Sequence, residues 1–124
     1  MATITVITGD PPYGKERLYT TLRFVLAALA ASHAVNLFIL EDAAFVAKKG
    51  QKPMELPGLL GHDTMPNLEE MLATAIKLGT QVKVCGVCAS ERALSQTELV
   101  AGASISTMVD LVGWVVNSDK TVFF

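Results

Sequence analysis

Two cysteines three positions apart are the residues of this sequence best suited to chemistry. The stretch Cys85-Gly86-Val87-Cys88 follows Val82-Lys83-Val84, a short apolar run typical of a buried strand, and the order of elements predicts a helix just after it. Open α/β sheets bind ligands at the carboxyl ends of their strands, and the start of a helix favours a thiolate. We therefore expect a nucleophilic thiol at Cys85.

Three other interpretations of the cysteine pair have to be weighed. A zinc site needs further ligands, but His33 and His62 are the only histidines and no second C-x-x-C occurs, so no metal is expected. A thioredoxin-type redox pair requires cysteines at a helix start after a strand, which the pattern approximately satisfies, although the order of elements lacks the cis-proline partner loop. Simple packing of two small, hydrophobic cysteines is the third interpretation. The redox pair and the structural cysteines both stay open.

The segment GDPPYGKE, at positions 9–16, partly matches a phosphate-binding loop. It has the two glycines and the Gly-Lys step of that loop, and it lies between a predicted strand and a predicted helix. The hydroxyl residue that would bind Mg²⁺ is replaced by Glu16, and Pro11 and Pro12 lack the N–H groups that a phosphate cradle needs. We predict a rigid turn that forms a wall of the active crevice, and no cofactor is expected.

Alternating strand and helix patterns predict an α/β fold. The predicted strands are Ala2–Thr8, Val35–Leu40, Val82–Cys85 and Thr121–Phe124. Helices are predicted around 18–29, from the Asn67 cap to Gly79, and over Thr107–Asn117, with a short turn at Ser90–Leu94 and an extended piece at Glu98–Ala101. An irregular segment, possessing one short helical piece, is predicted over 43–66. This alternation predicts a mainly parallel sheet covered on both faces.

Composition limits the classes of protein. A chain of 124 residues, 51% hydrophobic, is expected to form one domain over 1–124. No apolar run reaches the roughly 18 residues that cross a bilayer, and the start MATITVITG lacks the features of a signal peptide, so a cytoplasmic protein without membrane contact is expected. A formal charge of -2 with dispersed lysines and arginines argues against nucleic-acid binding.

Five motifs in order resemble a known family. They are Pro12-Tyr13-Gly14, Leu-Tyr-x-x-Leu-Arg at 18–23, Gly50-Gln51-Lys52-Pro53, the stretch from Val82 to Cys88, and the ending Asp119–Phe124. The chain resembles the DsrE/DsrF-like family over essentially its whole length, most closely the YchN-like homo-oligomeric branch. The resemblance implies a three-layer α/β/α sandwich with a five-stranded, mostly parallel sheet, and association as homo-trimers or homo-hexamers.

The resemblance also implies a function in sulfur relay. In this family a cysteine accepts sulfane sulfur as a persulfide and passes it from a donor protein to an acceptor protein. The relay cysteine of the similar TusBCD and DsrEFH complexes occupies the end of the same strand, which corresponds to Cys85. Cys88 matches the second cysteine of the YchN-like branch, and it either resolves a Cys85 persulfide as a disulfide or tunes its neighbour. A thiolate attacks sulfur by exchange without a metal or nucleotide.

A substrate pocket is expected around the cysteines. Its candidate residues are Pro12, Tyr13, Gly14, Asp42, Gly50, Gln51, Lys52, Pro53 and Arg92. Arg92 follows Cys88 closely, and a guanidinium near a thiol lowers the pKa of that thiol. The alternative function is a non-catalytic oligomeric module that binds a partner or small ligand and whose cysteines are structural.

Overall fold

The computed structural model describes residues 1–54 and 66–124. The strands are β1 (Thr3–Thr8), β2 (Ala34–Ile39), β3 (Gln81–Cys85), β4 (Ala103–Ser106) and β5 (Lys120–Phe123). The α-helices are α1 (Arg17–Ala30), α2 (Leu68–Lys77), α3 (Gly86–Glu91) and α4 (Met108–Asn117), and 3-10 helices cover Glu41–Ala47 and Gln96–Glu98. No helix within the described ranges has both the length and the apolar character needed to cross a membrane.

The five strands form one sheet in the order β4-β3-β2-β1-β5. Each pairing between these five strands is parallel, so the prediction of a mostly parallel sheet is confirmed. Parallel neighbours place all their carboxyl ends at one edge. The last residue of β3, Cys85, therefore lies at the same edge as the segments that follow β1 and β2.

Apolar side chains cover both faces of the sheet and create the three layers. Successive strand residues point to opposite faces, so neighbouring positions enter different cores. One core joins Val6, Leu37 and Val84 to buried residues of α1 and α2. The other joins Ile7, Phe38 and Cys85 to Leu111 of α4, with Trp114 packed against them. Cys85 thus belongs to the core beneath α4.

Two short elements differ from the sequence prediction. The short helical turn predicted at Ser90–Leu94 overlaps only the end of α3, which starts directly after β3 and covers Gly86–Glu91. The extended piece predicted at Glu98–Ala101 is found in part: Glu98 ends the 3-10 helix Gln96–Glu98, whereas Leu99 is extended and forms an antiparallel bridge with Lys48, and the strand β4 comes later. A capping box explains the helix: the Ser95 backbone N–H donates to the Glu98 carboxylate.

The helix predicted from Asn67 is confirmed. The Asn67 side-chain oxygen accepts a hydrogen bond from the Glu70 backbone N–H, and this bond caps α2. The predicted short helical piece after β2 is the 3-10 helix Glu41–Ala47. The rest of the predicted irregular segment includes 55–65, which lies outside the described residues, as does His62.

Candidate functional site

The two cysteines lie side by side at the carboxyl edge of the sheet. Cys85 ends β3 and is 5% exposed among apolar residues that include Phe38 and Leu40. Cys88 lies in the first turn of α3, is half-buried, and packs against the same cluster. Both cysteines are free thiols, and they lie close enough together for the Cys85 side chain to raise the pKa of Cys88. This arrangement is a reduced dithiol pair with one buried and one more accessible sulfur.

A strained backbone position at the end of β2 lies near the more accessible thiol. The backbone N–H of Glu41 is close enough to Cys88 to lower the pKa of that thiol. Glu41 has φ 52°, in the left-handed region that costs a non-glycine residue roughly 1–2 kcal/mol. Gly9 leaves room for the Glu41 side chain, since a Cβ at Gly9 would stand 3.1 Å from Glu41 Oε1. The ends of β1 and β2 thus both help to shape the surroundings of Cys88.

Arg92 joins the end of β2 to the end of α3. Its Nε donates to Asp42 Oδ1 at 2.9 Å, and its Nη2 lies 2.8 Å from the same oxygen. Its Nη1 donates to the Cys88 carbonyl at 3.1 Å, and the Arg92 side chain is 20% exposed. The structure therefore brings together four of the residues that the sequence singled out: Cys85, Cys88, Asp42 and Arg92.

The pKa of Cys88 is raised above the ordinary value for a thiol. Burial is the largest cause, and the hydrogen bond with the Cys85 side chain acts in the same direction. The Glu41 N–H and the charge of Arg92 oppose the rise by favouring the thiolate. Cys88 is consequently a predominantly neutral thiol near neutral pH, held beside groups that stabilise its anion.

A polar network that the sequence analysis missed lies on the same sheet face as Cys85. Ser106 is the register partner of Cys85 on β4, and its hydroxyl donates to Asp110 Oδ2. Lys83, two residues before Cys85, places Nζ 3.7 Å from that oxygen and 4.7 Å from the centroid of the Trp114 ring. A lysine between two valines of a buried strand was the available sequence signal, because such a charge requires a partner.

The other predicted pocket residues meet at a different place. The Tyr13 hydroxyl donates to Gln51 Oε1 at 2.7 Å and accepts from the Leu68 N–H at 3.1 Å. The Gln51 backbone N–H donates to Glu69 Oε1 at 2.7 Å. The Pro12-Tyr13-Gly14 turn and the Gly50-Gln51-Lys52-Pro53 segment are thereby tied to each other and to the start of α2. In the described residues, these hydrogen bonds do not link them to the cysteines.

A cavity of about 330 Å³ opens beside this second cluster. It is lined by Tyr13, Lys15, Glu16, Tyr19, Thr20, Arg23, Pro66 and Leu68. Neither cysteine is among these described lining residues, so the cavity and the dithiol pair are separate features of the surface. Burial raises the pKa of Tyr13, which stays a neutral hydroxyl and donates to Gln51.

The histidines and acidic residues do not gather into a metal site in the part of the chain that the structure describes. His33 has a structural role, since its Nδ1 accepts a hydrogen bond from the Ala2 backbone N–H at 3.0 Å.

In the 9–16 segment that partly matches a phosphate-binding loop, Lys15 Nζ lies 3.9 Å from Asp10 in an exposed ion pair. Glu16 caps α1 without a side-chain hydrogen bond to the helix.

The parallel sheet, its three layers and a thiol at the end of β3 define an α/β protein with a candidate thiol-chemistry site. Comparison with known proteins gives the family. Residues 2–124 match the model of the DsrE/DsrF-like family, and the chain belongs to that family, which is associated with sulfur relay. The resemblance found in the sequence is confirmed.

Relatives match over nearly their entire length. A protein of Methanopyrus kandleri is 44% identical over 121 residues, which cover 98% of this chain and 93% of the relative. Protein YchN of Escherichia coli is 31% identical over 126 residues, covering 100% of both chains. The crystal structure of E. coli YchN superposes with a TM-score of 0.86 over 100% of both chains at 30% identity. The fold and the family are therefore those of YchN-like proteins.

Proposed function

We propose that this protein accepts and transfers sulfane sulfur as a persulfide on Cys85. The observation that carries the proposal is the free Cys85–Cys88 pair at the carboxyl edge of the sheet, with the Arg92 guanidinium bound to the Cys88 carbonyl. In the first step the Cys85 thiolate attacks the terminal sulfur of a donor persulfide. The donor S–S bond breaks, a new S–S bond forms on Cys85, and the donor leaves as a thiolate.

The surroundings of Cys85 suit the storage of a reactive sulfur. Cys85 is 5% exposed, and the apolar residues around it shelter a persulfide from thiols in solution. Cys88, Asp42 and Arg92 are more exposed, and they provide the side from which a donor or acceptor protein approaches. In the second step an acceptor thiolate attacks the outer sulfur, and Cys85 leaves as a thiolate. Free thiols fit the reducing cytoplasm, where we place this activity.

Self-association is part of the proposal. The outer surface of α4 exposes Val109, Val112 and Val116, which lie along one stripe of the helix. Gly113 lies within this stripe, and a Cβ there would meet no atom within 4 Å, so another helix can approach closely. The stripe carries no charge, and an apolar patch of this kind on a helix is suited to burial against another chain. We propose that a second copy of this chain covers it, within a homo-trimer or homo-hexamer.

Intact-protein mass spectrometry tests the sulfur chemistry directly. Reduced wild type, Cys85→Ser and Cys88→Ser are incubated briefly with glutathione persulfide. Cys88→Ser is expected to gain the mass of one sulfur atom and to lose it with reductant, whereas Cys85→Ser gains none. A Cys88→Ser protein that gains no sulfur contradicts the proposal.

The rival function is an oligomeric binding module with structural cysteines. The burial of Cys85 among Ile7, Phe38 and Leu111 favours it, because an inert core cysteine has the same surroundings. The two functions differ in the response to a persulfide donor. Absence of any sulfur adduct in the three proteins, with their fold intact by circular dichroism, supports the module.

A further inference from the structure

We propose that Cys88 resolves the Cys85 persulfide, so that the pair releases sulfide and closes a Cys85–Cys88 disulfide. This inference rests on the proposed loading of Cys85 with sulfane sulfur. It assigns a reaction to the second cysteine and a second outcome to the sulfur bound on Cys85. That sulfur is either transferred to an acceptor or released as sulfide by a reaction between the two cysteines.

The backbone places the two cysteines in an arrangement that can close a disulfide. Cys85 is the N-cap residue of α3, and Cys88 lies in the first turn of that helix. A C-x-x-C at the start of a helix after a strand is the arrangement of the redox-active pairs of thioredoxin-type proteins. Cys88 also packs against the apolar cluster that contains Cys85, and the Cys85 side chain is close enough to raise the pKa of Cys88.

Burial favours the internal thiol over an external one. An acceptor thiol from solution must reach a residue that is 5% exposed, whereas Cys88 already packs against the apolar cluster that contains Cys85. Attack by an adjacent group avoids the loss of translational freedom that an outside reagent incurs. Cys88 is therefore a nucleophile held next to the inner sulfur of a Cys85 persulfide.

The resolving step balances without an external oxidant. The Cys88 thiolate attacks Sγ of Cys85, the bond from Sγ to the outer sulfur breaks, and that sulfur leaves as hydrosulfide with its own proton. The attacking thiolate is the minor form of Cys88, because burial raises the pKa of that thiol, and its proton passes to solvent before the attack; the Glu41 N–H and the charge of Arg92 partly offset the effect of burial. A low-molecular-weight thiol or a dithiol protein then reduces the disulfide by exchange and returns both cysteines to the free state.

Sulfide release and protein mass, measured together, test the step. Wild type is reduced, freed of reductant and mixed with an equimolar amount of glutathione persulfide, and sulfide is assayed after a short incubation. Wild type is expected to release sulfide in equal amount to a protein species lighter by two hydrogens. Cys88→Ser is expected to keep the added sulfur and to release no sulfide above the protein-free blank.

Val87→Ala is the matched control, because Val87 is exposed between the two cysteines and is expected to leave sulfide release unchanged. Wild type that retains the added sulfur without sulfide or disulfide overturns the inference while leaving the proposed relay intact. Failure of Cys88→Ser to take up sulfur overturns the relay itself. Cys88→Ala, measured in parallel, separates loss of the thiol from any effect of the serine hydroxyl.

Discussion

Arg92 donates from Nε and from Nη2 to one oxygen of Asp42, at 2.9 and 2.8 Å. The contact links the segment after β2 to the end of α3, and the third guanidinium nitrogen binds the carbonyl of Cys88. The Arg92 guanidinium is thus held in a fixed position near the Cys88 thiol. Its effect on the pKa of that thiol can be measured.

Replacing Arg92 by glutamine is expected to raise the pKa of Cys88 further. The guanidinium charge favours the Cys88 thiolate, so its removal shifts the thiolate population to higher pH. The rate of Cys88 alkylation by iodoacetamide, followed by peptide mass spectrometry across pH, should therefore show a higher midpoint. Arg17→Gln, at an exposed position of α1, is the control and should leave the midpoint in place. A midpoint that falls in Arg92→Gln contradicts the assigned electrostatics.

Replacing Cys85 by alanine is expected to act in the opposite direction. The hydrogen bond with the Cys85 side chain contributes to the raised pKa of Cys88, so its loss lowers that pKa. More Cys88 is then thiolate near neutral pH, and alkylation is faster there than in wild type. The rate of Cys88 alkylation by iodoacetamide across pH measures this fall in pKa. An unchanged pH profile would show that the two thiols do not interact.

Much of the candidate site was predictable, because it depends on local patterns. The apolar run before Cys85 predicts a strand, and its position in a parallel sheet places the thiol at the carboxyl edge. The Asn67 cap likewise identifies the start of α2. In both cases neighbouring residues in the sequence determine the structure.

The remaining features depend on contacts between distant segments. The Glu41 N–H reaches Cys88 because β2 and β3 are neighbours, and no residue near Glu41 in the sequence indicates that contact. The strand β4 was not predicted, whereas the apolar residues Leu99 and Val100 led to the extended piece predicted at Glu98–Ala101. Both are core residues, and they lie at an isolated antiparallel bridge between Leu99 and Lys48, where the Val100 N–H donates to the Ala47 carbonyl. Their hydrophobicity thus contributes to the core and not to the five-stranded sheet.

Gly86→Ala is expected to disturb the cysteine pair through packing. A Cβ at Gly86 would lie 3.1 Å from the Ser106 carbonyl oxygen and 3.2 Å from Ile105 Cγ2, so α3 must shift away from β4. Overpacking of this kind lowers the free energy of unfolding by about 1 kcal/mol or more. Urea denaturation measures the loss, and slower sulfide release would report displacement of Cys88. Ser90→Ala, exposed on the same helix, is the control and should change stability little.

Asp110→Asn is expected to remove an acid-sensitive contribution to stability. Its pKa is lowered, first by the hydrogen bond from Ser106 and then by Lys83, so the carboxylate form is favoured in the folded state. The stabilisation that this carboxylate gives is fully present above the pKa that Asp110 has in the unfolded chain. It is lost as pH falls through the lower pKa that Asp110 has in the folded protein. Urea midpoints should therefore differ between wild type and Asp110→Asn near neutral pH and converge in strong acid. Asp10→Asn, in an exposed pair at 3.9 Å, should show a smaller difference at neutral pH.

A charge placed on the outer stripe of α4 is expected to dissociate the assembly. Val109 is 79% exposed and Val116 is 74% exposed in the single chain, so a glutamate at either position is harmless to the monomer core. Within a homo-oligomer it buries an unpaired carboxylate against another copy, which is strongly unfavourable. Light scattering coupled to size-exclusion chromatography should show wild type as an oligomer and Val109→Glu as a smaller species. Ala73→Glu, exposed on α2, should keep the wild-type mass, and a monomeric wild type would rule out this interface.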